Sequence, residues 1–341
     1  MNFSKLLLRR SLGQYLHFRI FSYLFCLDCF KFQNRPLKFN AKLMEVLMRI
    51  KFTSLFKSDF LDRRLLLTLL VWTLLALFFL PDPLPTLKLN LSYIVLGFFG
   101  AILGNISAVG GGIIFIPAMM FIYKLSPVMA LKIALLTQSF GMTSGAMGWL
   151  KRGVVPKGVL IYAVPSLLIG SLISSLVFKP SGLLIKVLFG PVSILLGLTT
   201  LYFIKKEKSN LPGGVIVDKA KPWITVSAFI GGLITGWIAI GEGEIVAATL
   251  MMGFSIAAET SIGLGVVLLS INSIFLTLIH IIFLDGVPWS IGLFTALGAI
   301  FGARCAVTIG KALPSKALKI IFSIIAIGDG LIFIFQFLHL R

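Results

Sequence analysis

The sequence predicts an all-α polytopic membrane protein with two inverted repeats, each a glycine-broken helical hairpin plus three transmembrane helices, and one extra N-terminal transmembrane helix. Composition, two glycine-rich interruptions and the distribution of Lys and Arg predict it. Hydrophobic residues form 58% of the 341 residues and charged residues 13%, whereas soluble domains are about 45–50% apolar. This composition excludes a soluble globular domain.

The two interruptions lie inside otherwise apolar sequence. Gly104–Pro117 contains four glycines, Asn105 and Ser107, which a continuous membrane helix would not tolerate well. Gly236–Glu244 repeats the design, and both are preceded by a Gly-x-x-x-Gly spacing. Interrupted hydrophobic segments at corresponding positions in two halves are typical of a transporter binding site.

The positive charge is interpreted as a topology signal. The formal net charge is +19, but Lys and Arg lie between apolar spans and in the first 64 residues, as expected for the cytoplasmic side of a membrane. No nucleic-acid partner is expected. Residues 1–64 are read as a basic N-terminal tail, either a mis-assigned start or a targeting segment.

The remaining chain divides into four parts. Residues 65–90 are predicted to hold the first transmembrane helix and an outer loop, and residues 206–221 a cytoplasmic linker. Two similar units lie on either side of this linker, at 91–205 and 222–341. Each unit begins with a glycine-broken pair, predicted at 91–104 with 113–123 and at 223–240 with 245–254, and continues with three spans, predicted at 126–150, 158–178, 182–204, 258–284, 288–306 and 316–338.

Charge also predicts the direction of each unit. If 91–123 were one kinked crossing, Lys205 and Lys206 would lie outside together with Lys151 and Arg152, against the positive-inside rule. If 91–123 enters and returns to the same face, these residues all lie inside. A returning hairpin plus three crossings makes an odd number of net crossings, so the second unit is predicted to be inserted upside down.

The candidate substrate-binding residues are the polar and glycine residues of the interruptions and two mid-span amides. Non-helical backbone at membrane depth persists only where protein or a polar cavity satisfies it, and a half-helix beginning near Gly112 would present N–H groups suited to an anion. A purely packing role for the glycines is the alternative. The candidates are Asn105, Ser107, Gly110, Gly111, Gly112, Gln138, Gly241, Gly243 and Asn272.

Glu242 and Glu244 are the candidate proton-coupling groups. A carboxylate at membrane depth costs at least ~2.5 kcal/mol, so it normally pairs, protonates or serves a pathway. Two acids two residues apart favour protonation of one of them. The alternative places this turn in headgroup water. Asp329 is a further buried-acid candidate, Lys132 is expected to be solvated or to snorkel near a span end, and His280 is expected to be structural.

At these residues the chain resembles the TauE/SafE family of membrane permeases, also called probable sulfite exporters. The resemblance covers 91–341 and rests on Gly104-x5-Gly-Gly-Gly-x4-Pro117, on its degenerate repeat at 236–243, and on the Gly-Val-Val-Pro and Gly-Val-Pro turns. It implies a secondary carrier for small anions, including sulfite and organosulfonates, driven by the proton gradient. The acids at 242 and 244 depart from the glycine-rich pattern expected in the second repeat.

The expected function is therefore proton-coupled transport of sulfur-containing or carboxylate anions across the cell (inner) membrane, with the lipid bilayer, a small anion and protons as partners. A cation transporter or channel using Glu242 and Glu244 is the alternative. An intramembrane enzyme is less favoured, because the sequence lacks a His-Glu-x-x-His motif, a nucleophile elbow and a Walker lysine. No cofactor and no metal site is expected.

Overall fold

The regular elements of this computed structural model are helices. The structure describes residues 63–80, 87, 90–107, 110–206, 220–312 and 315–339, so most of the basic tail and of the predicted linker lies outside the described residues. The helices are α1 (Arg63–Phe79), α2 (Leu91–Ser107), α3 (Gly112–Pro117), α4 (Pro127–Lys151), α5 (Leu160–Leu172), α6 (Gly182–Lys206), α7 (Lys221–Ile238), α8 (Glu242–Ala248), α9 (Ala258–Phe283), α10 (Trp289–Ala312) and α11 (Ser315–His339).

Several helices are long and apolar enough to cross a membrane. In the described part of the chain, four segments qualify by length and composition: Lys157–Val177, Gly182–Tyr202, Glu259–Phe283 and Trp289–Ala306. Large apolar side chains lie exposed on the outside of the bundle; Ile161 is 79% exposed and Phe78 is 81% exposed. Such a surface is stable in lipid, and the protein is a multi-pass helical membrane protein.

The helix α4 differs from the lipid-facing helices because other helices surround most of it. It is 25 residues long, and most of its residues are buried, including Thr137, Gln138 and Ser144. Ser126 caps its first turn by accepting a hydrogen bond from the Met129 amide. This polar helix therefore lies at the centre of the bundle.

The chain turns back at both interruptions. In the first, a Cβ added to Gly104 would lie 2.7 Å from the Gly110 backbone, and the rings of Tyr93 and Tyr123 lie 4.3 Å apart. The segment α3, extended by the π-helical turn Ala118–Ile122, thus returns along α2. In the second, a Cβ at Gly231 would lie 2.8 Å from Glu242 Cα, and Thr235 Oγ1 donates to the Ile240 carbonyl at 3.2 Å.

The two ends of the bundle are named here by α4, as the Pro127 end and the Lys151 end. The contact between Gly182 and Pro127, 3.7 Å for an added Cβ, places the start of α6 at the Pro127 end. The ion pair of Arg152 and Glu259, 3.3 Å, places the start of α9 at the Lys151 end. The helix α4 therefore starts at the Pro127 end, whereas α9 starts at the Lys151 end.

The helices α4 and α9 run in opposite directions. In the pair α4 and α9, Ser273 Oγ donates to Gln138 Oε1 at 3.3 Å, while an added Cβ on Gly263 would lie 3.2 Å from the Trp149 ring. Residue numbers thus rise along one helix as they fall along the other. The helices α6 and α11 are also antiparallel, as shown by Gly190 against Gly330 and Gly197 against Ser323.

Each hairpin packs on a helix of the other half. The helix α2 packs on α10, and α7 packs on α5. Both pairs use glycines at close backbone approaches: Gly97, Gly298 and Gly302 in the first pair, Gly170 and Gly232 in the second. For these glycines, a packing role of the small-residue type explains the spacing.

The substitution Gly298→Val should destabilise the α2–α10 pair. A Cβ at Gly298 would overlap the Ile94 carbonyl oxygen and lie 2.8 Å from its carbon, so backbone must shift. We expect a loss of about 1–3 kcal/mol in unfolding free energy, measured by thermal unfolding in detergent. Gly328→Val is the matched control, since nothing lies within 4 Å of an added Cβ there; equal melting of both variants would contradict the backbone contact.

The extra N-terminal helix packs on the second half. Trp72 Nε1 donates to the Leu293 carbonyl at 2.7 Å, and the Phe79 ring stacks on Trp289 at 3.8 Å. Arg64 at the other end donates to the Met147 carbonyl at 3.4 Å. The helix α1 therefore runs from the Lys151 end to the Pro127 end.

Candidate functional site

Both chain breaks depend on left-handed backbone. Gly110 has a φ of 81° and precedes α3, while Gly241 has a φ of 108° and precedes α8. Ala239 also adopts a positive φ, 54°, at the end of α7, which a non-glycine residue seldom does. These residues let the chain leave one helix and begin the next within four or fewer intervening residues.

The two breaks contact each other halfway along α4. Gln138, near the middle of that helix, donates from Nε2 to the carbonyl oxygen of Ala239 at 2.9 Å. A Cβ at Gly112 would overlap that same oxygen and would lie 2.8 Å from the Ile240 side chain. The first residue of α3 and the last turn of α7 are therefore in backbone contact at the centre of the bundle.

A chain of buried side-chain hydrogen bonds extends from this contact into the second half. Asn272 of α9 donates from Nδ2 to Glu242 Oε2 at 2.6 Å, and its Oδ1 accepts from Ser171 Oγ at 2.6 Å. Ser273, the next residue, donates to Gln138 Oε1 at 3.3 Å. The amides of Gln138 and Asn272 thus connect the two breaks through adjacent residues of α9.

The two glutamates are buried, not exposed at headgroup level. Glu242 is 0% and Glu244 is 8% exposed, in the first turn of α8. In the described part of the chain, Glu242 Oε1 and both carboxylate oxygens of Glu244 have no side-chain hydrogen-bond partner. Carboxylates in such a position normally pair, take up a proton or bind a ligand.

The remaining predicted site residues lie in or next to the two breaks. Gly110 and Gly111 are buried in the first break, and Gly243 is buried in the first turn of α8. Asn105 donates to the Ala101 carbonyl at 2.9 Å, and a Cβ at Gly145 would overlap its Oδ1. Ser107 is the last residue of α2, and its side chain lies outside the described residues. Substrate binding by these residues stays a prediction.

Comparison with known protein families identifies the family of this chain. The model of the family described as "Sulfite exporter TauE/SafE" matches residues 93–331. The chain belongs to this family. The match begins in α2 and ends in α11, so it spans both halves and confirms the resemblance drawn from the first break.

A curated relative of this TauE/SafE chain is the "Probable membrane transporter protein YunE" of Bacillus subtilis (strain 168). It is 24% identical over 267 residues, which cover 71% of this chain and 96% of the relative. No solved structure matches the chain. The family and the relative describe a membrane permease, in keeping with an integral multi-pass protein of the inner cell membrane.

Sequence reasoning missed two polar residues that belong to this TauE/SafE core. Ser171 holds Asn272 in place, but a serine in an apolar span is too common to single out. Arg304 is only 7% exposed and donates from Nε to Ser144 Oγ at 3.1 Å. Its position eight residues before the end of α10 was the available signal.

Lys132 is part-buried near the start of α4, and its Nζ donates to the Leu284 carbonyl at the end of α9. The expectation that it is solvated or snorkels stays a prediction. The carbonyls of a helix end lack partners within the helix, which explains why an ammonium group is held there. His280, one turn earlier, is fully buried at 0% exposure.

Proposed function

We propose that this TauE/SafE protein is a secondary active transporter that moves small anions, such as sulfite, organosulfonates or carboxylates, coupled to protons. The observation that carries the proposal is the contact of the two chain breaks halfway along α4, where Gln138 binds the Ala239 carbonyl. Broken helices that meet at the bilayer midplane are the usual architecture of carrier binding sites. Transport, not catalysis, is what such a site performs.

The antiparallel packing of corresponding helices supports inverted repeats at 91–205 and 222–341. A two-fold relation that reverses α4 onto α9 and α6 onto α11 has its axis in the plane of the membrane. Lys151 and Arg152 assign the Lys151 end to the cytoplasm, where Lys205 and Lys206 also end α6. Rocking of one half against the other would expose the contact point first to one side and then to the other.

The polar groups at the contact suit a small oxyanion. The amide N–H groups of Gln138 and Asn272 are hydrogen-bond donors at this contact. The amides now donate to Ala239 and Glu242, so a ligand would compete for those donors. An anion would bind most readily when Glu242 is protonated.

This competition gives a physical basis for proton coupling. A charged Glu242 repels an anion and binds the Asn272 amide strongly, whereas a neutral Glu242 does not repel the anion and accepts from Asn272 more weakly. Glu244 in the same helical turn adds a second negative charge, which favours proton uptake by one of the pair. Anion and proton would therefore cross together, with Glu242 and Glu244 as the coupling groups.

A second candidate function is cation transport, favoured by the same buried acids. Glu242 Oε1 and the Glu244 carboxylate offer three oxygens without side-chain partners among the described residues. Carboxylate oxygens are preferred ligands of hard metal cations. In this reading the two glutamates bind the transported ion directly.

Flux measurements in proteoliposomes separate the two functions. We expect an imposed pH gradient to drive uptake of sulfite, sulfoacetate or a simple carboxylate, with no requirement for sodium. Protein-free vesicles, which report passive leak of the protonated acid, are the control. Uptake that follows a sodium or potassium gradient, with no anion moved by the pH gradient, would replace the anion carrier with the cation carrier.

A further inference from the structure

A line of buried polar side chains runs along α9 from the contact of the breaks toward the Pro127 end. Ser273, Thr277 and His280 are spaced four and three residues apart, which places them on one face of the helix. All three are buried, with exposures of 0%, 5% and 0%. The line begins where Ser273 donates to Gln138 Oε1.

The far part of this line is not satisfied by protein. In the described residues, Thr277 Oγ1 and both ring nitrogens of His280 have no hydrogen-bond partner. A buried polar group without a partner costs about 1–3 kcal/mol. A threonine in a helix usually donates to the carbonyl four residues earlier, as Thr143 does to Ser139 at 2.5 Å, and Thr277 does not. Packing alone does not explain why these groups are kept there.

A positive charge lies at the end of α9, next to the last turn that holds His280. The Lys132 ammonium of α4 donates to the Leu284 carbonyl, and the Leu284 amide donates to the His280 carbonyl at 3.3 Å. Asp285, the nearest acid in sequence, is exposed at the surface loop. An ammonium, an imidazole and a hydroxyl near the same end of α9 form a donor set that suits an oxyanion.

We propose that Lys132, His280 and Thr277 form an outer anion station, a binding site that a small oxyanion occupies between the Pro127 end and the contact of the breaks. The inference rests on the proposed anion transport and adds a second site to it. The Lys132 charge attracts the anion, the imidazole and hydroxyl donate to it, and Ser273 leads on to Gln138. The separate capping bond to Leu284 explains why Lys132 stays ordered at this depth.

The test compares Lys132→Gln, His280→Gln and Lys132→Arg in proteoliposomes with sulfite as substrate. An anion station captures substrate before the central site, so Lys132→Gln and His280→Gln should raise KM about tenfold or more while kcat changes less than threefold. Lys132→Arg should restore KM because it keeps the charge. Lys179→Gln, an exposed lysine at the same end, is the matched control and should leave KM unchanged.

A direct binding measurement keeps the station testable apart from transport. The protein has three histidines, so the ring signals of ¹⁵N-histidine can be assigned in detergent with His280→Gln. Sulfite should shift the His280 signals in the wild type and fail to do so in Lys132→Gln. Unchanged KM in both variants, or His280 signals that do not respond to sulfite, would overturn the station. Wild-type vesicles that move no anion would instead refute the proposed function, while the ring signals still decide whether the station binds.

Discussion

Glu242→Gln should abolish proton-driven anion uptake while leaving the fold intact. Glutamine has the shape of glutamate, and its carbonyl oxygen can still accept the hydrogen bond that Asn272 donates to Oε2 at 2.6 Å. It cannot take up and release a proton. In the proposed mechanism, uptake under a pH gradient should fall about 100-fold, the scale typical of losing a group that transfers a proton. Exchange of labelled for unlabelled anion, which needs no net proton movement, should persist.

The matched control for this substitution is Glu259→Gln. Glu259 is also near the start of a helix, but its side chain is 54% exposed and pairs with Arg152 at 3.3 Å. Its removal should leave uptake within about twofold, because exposed ion pairs contribute little. Undiminished proton-driven uptake in Glu242→Gln would remove Glu242 from the coupling step. The same assay on Glu244→Gln then shows whether the neighbouring acid has that role.

Gly112→Ala should separate the two breaks and stop transport. The added methyl group would overlap the Ala239 carbonyl oxygen and lie 2.9 Å from Gln138 Nε2, so the hydrogen bond between these two residues cannot keep its geometry. A displacement of about 1 Å at a reacting or binding centre is enough to lower rates about 100-fold. We expect anion flux in proteoliposomes to fall by at least tenfold.

Gly158→Ala is the matched control for the glycine substitution. An added Cβ at that position meets nothing within 4 Å, so flux should equal that of the wild type. Thermal unfolding of both variants in detergent distinguishes a blocked path from a protein that does not fold. Normal flux in Gly112→Ala, with a normal melting temperature, would show that the contact of the breaks has no part in transport.

The sequence predicted the helical order and the position of both breaks for local reasons. Consecutive glycines and polar residues inside apolar sequence disturb a membrane helix wherever they occur. Gly110 and Gly241 take up the left-handed backbone that such a break requires. Gln138 and Asn272 were found because amides are costly to bury without a partner. Each of these inferences depends only on the free-energy cost of placing one residue type in the apolar part of a membrane.

The partners of these residues could not be predicted from the sequence. Gln138 donates to the backbone carbonyl of Ala239. Every residue has a backbone carbonyl, so the residue type does not show which one accepts this hydrogen bond. Ala239 has a φ that its side chain disfavours, so its role is set by the fold. The link from Ser171 to Asn272 joins residues 101 positions apart. Such long-range contacts depend on how the two halves pack.

The positions of Lys132 and Arg304 show the same limit for charged residues. Lys132 was expected to be solvated or to snorkel because it lies near a span end, where positive charge usually lies in the interface. In the structure, Lys132 holds the carbonyl of Leu284, and Arg304 donates to Ser144 inside the bundle. When a helix is apolar on all sides, its sequence alone does not show which face contacts another helix.

The most direct test of the central claim asks whether the contact of the breaks can be reached from water on both sides. Ile240, fully buried beside Gly112, is replaced by cysteine in a variant whose three native cysteines are removed. Ala296→Cys, also fully buried but in the packed core, is the control. We predict that small charged thiol reagents added to either side of vesicles label Ile240→Cys, more slowly with sulfite present, and do not label Ala296→Cys. No labelling at residue 240 from either side, or labelling that sulfite leaves unchanged, would contradict a path through the two breaks.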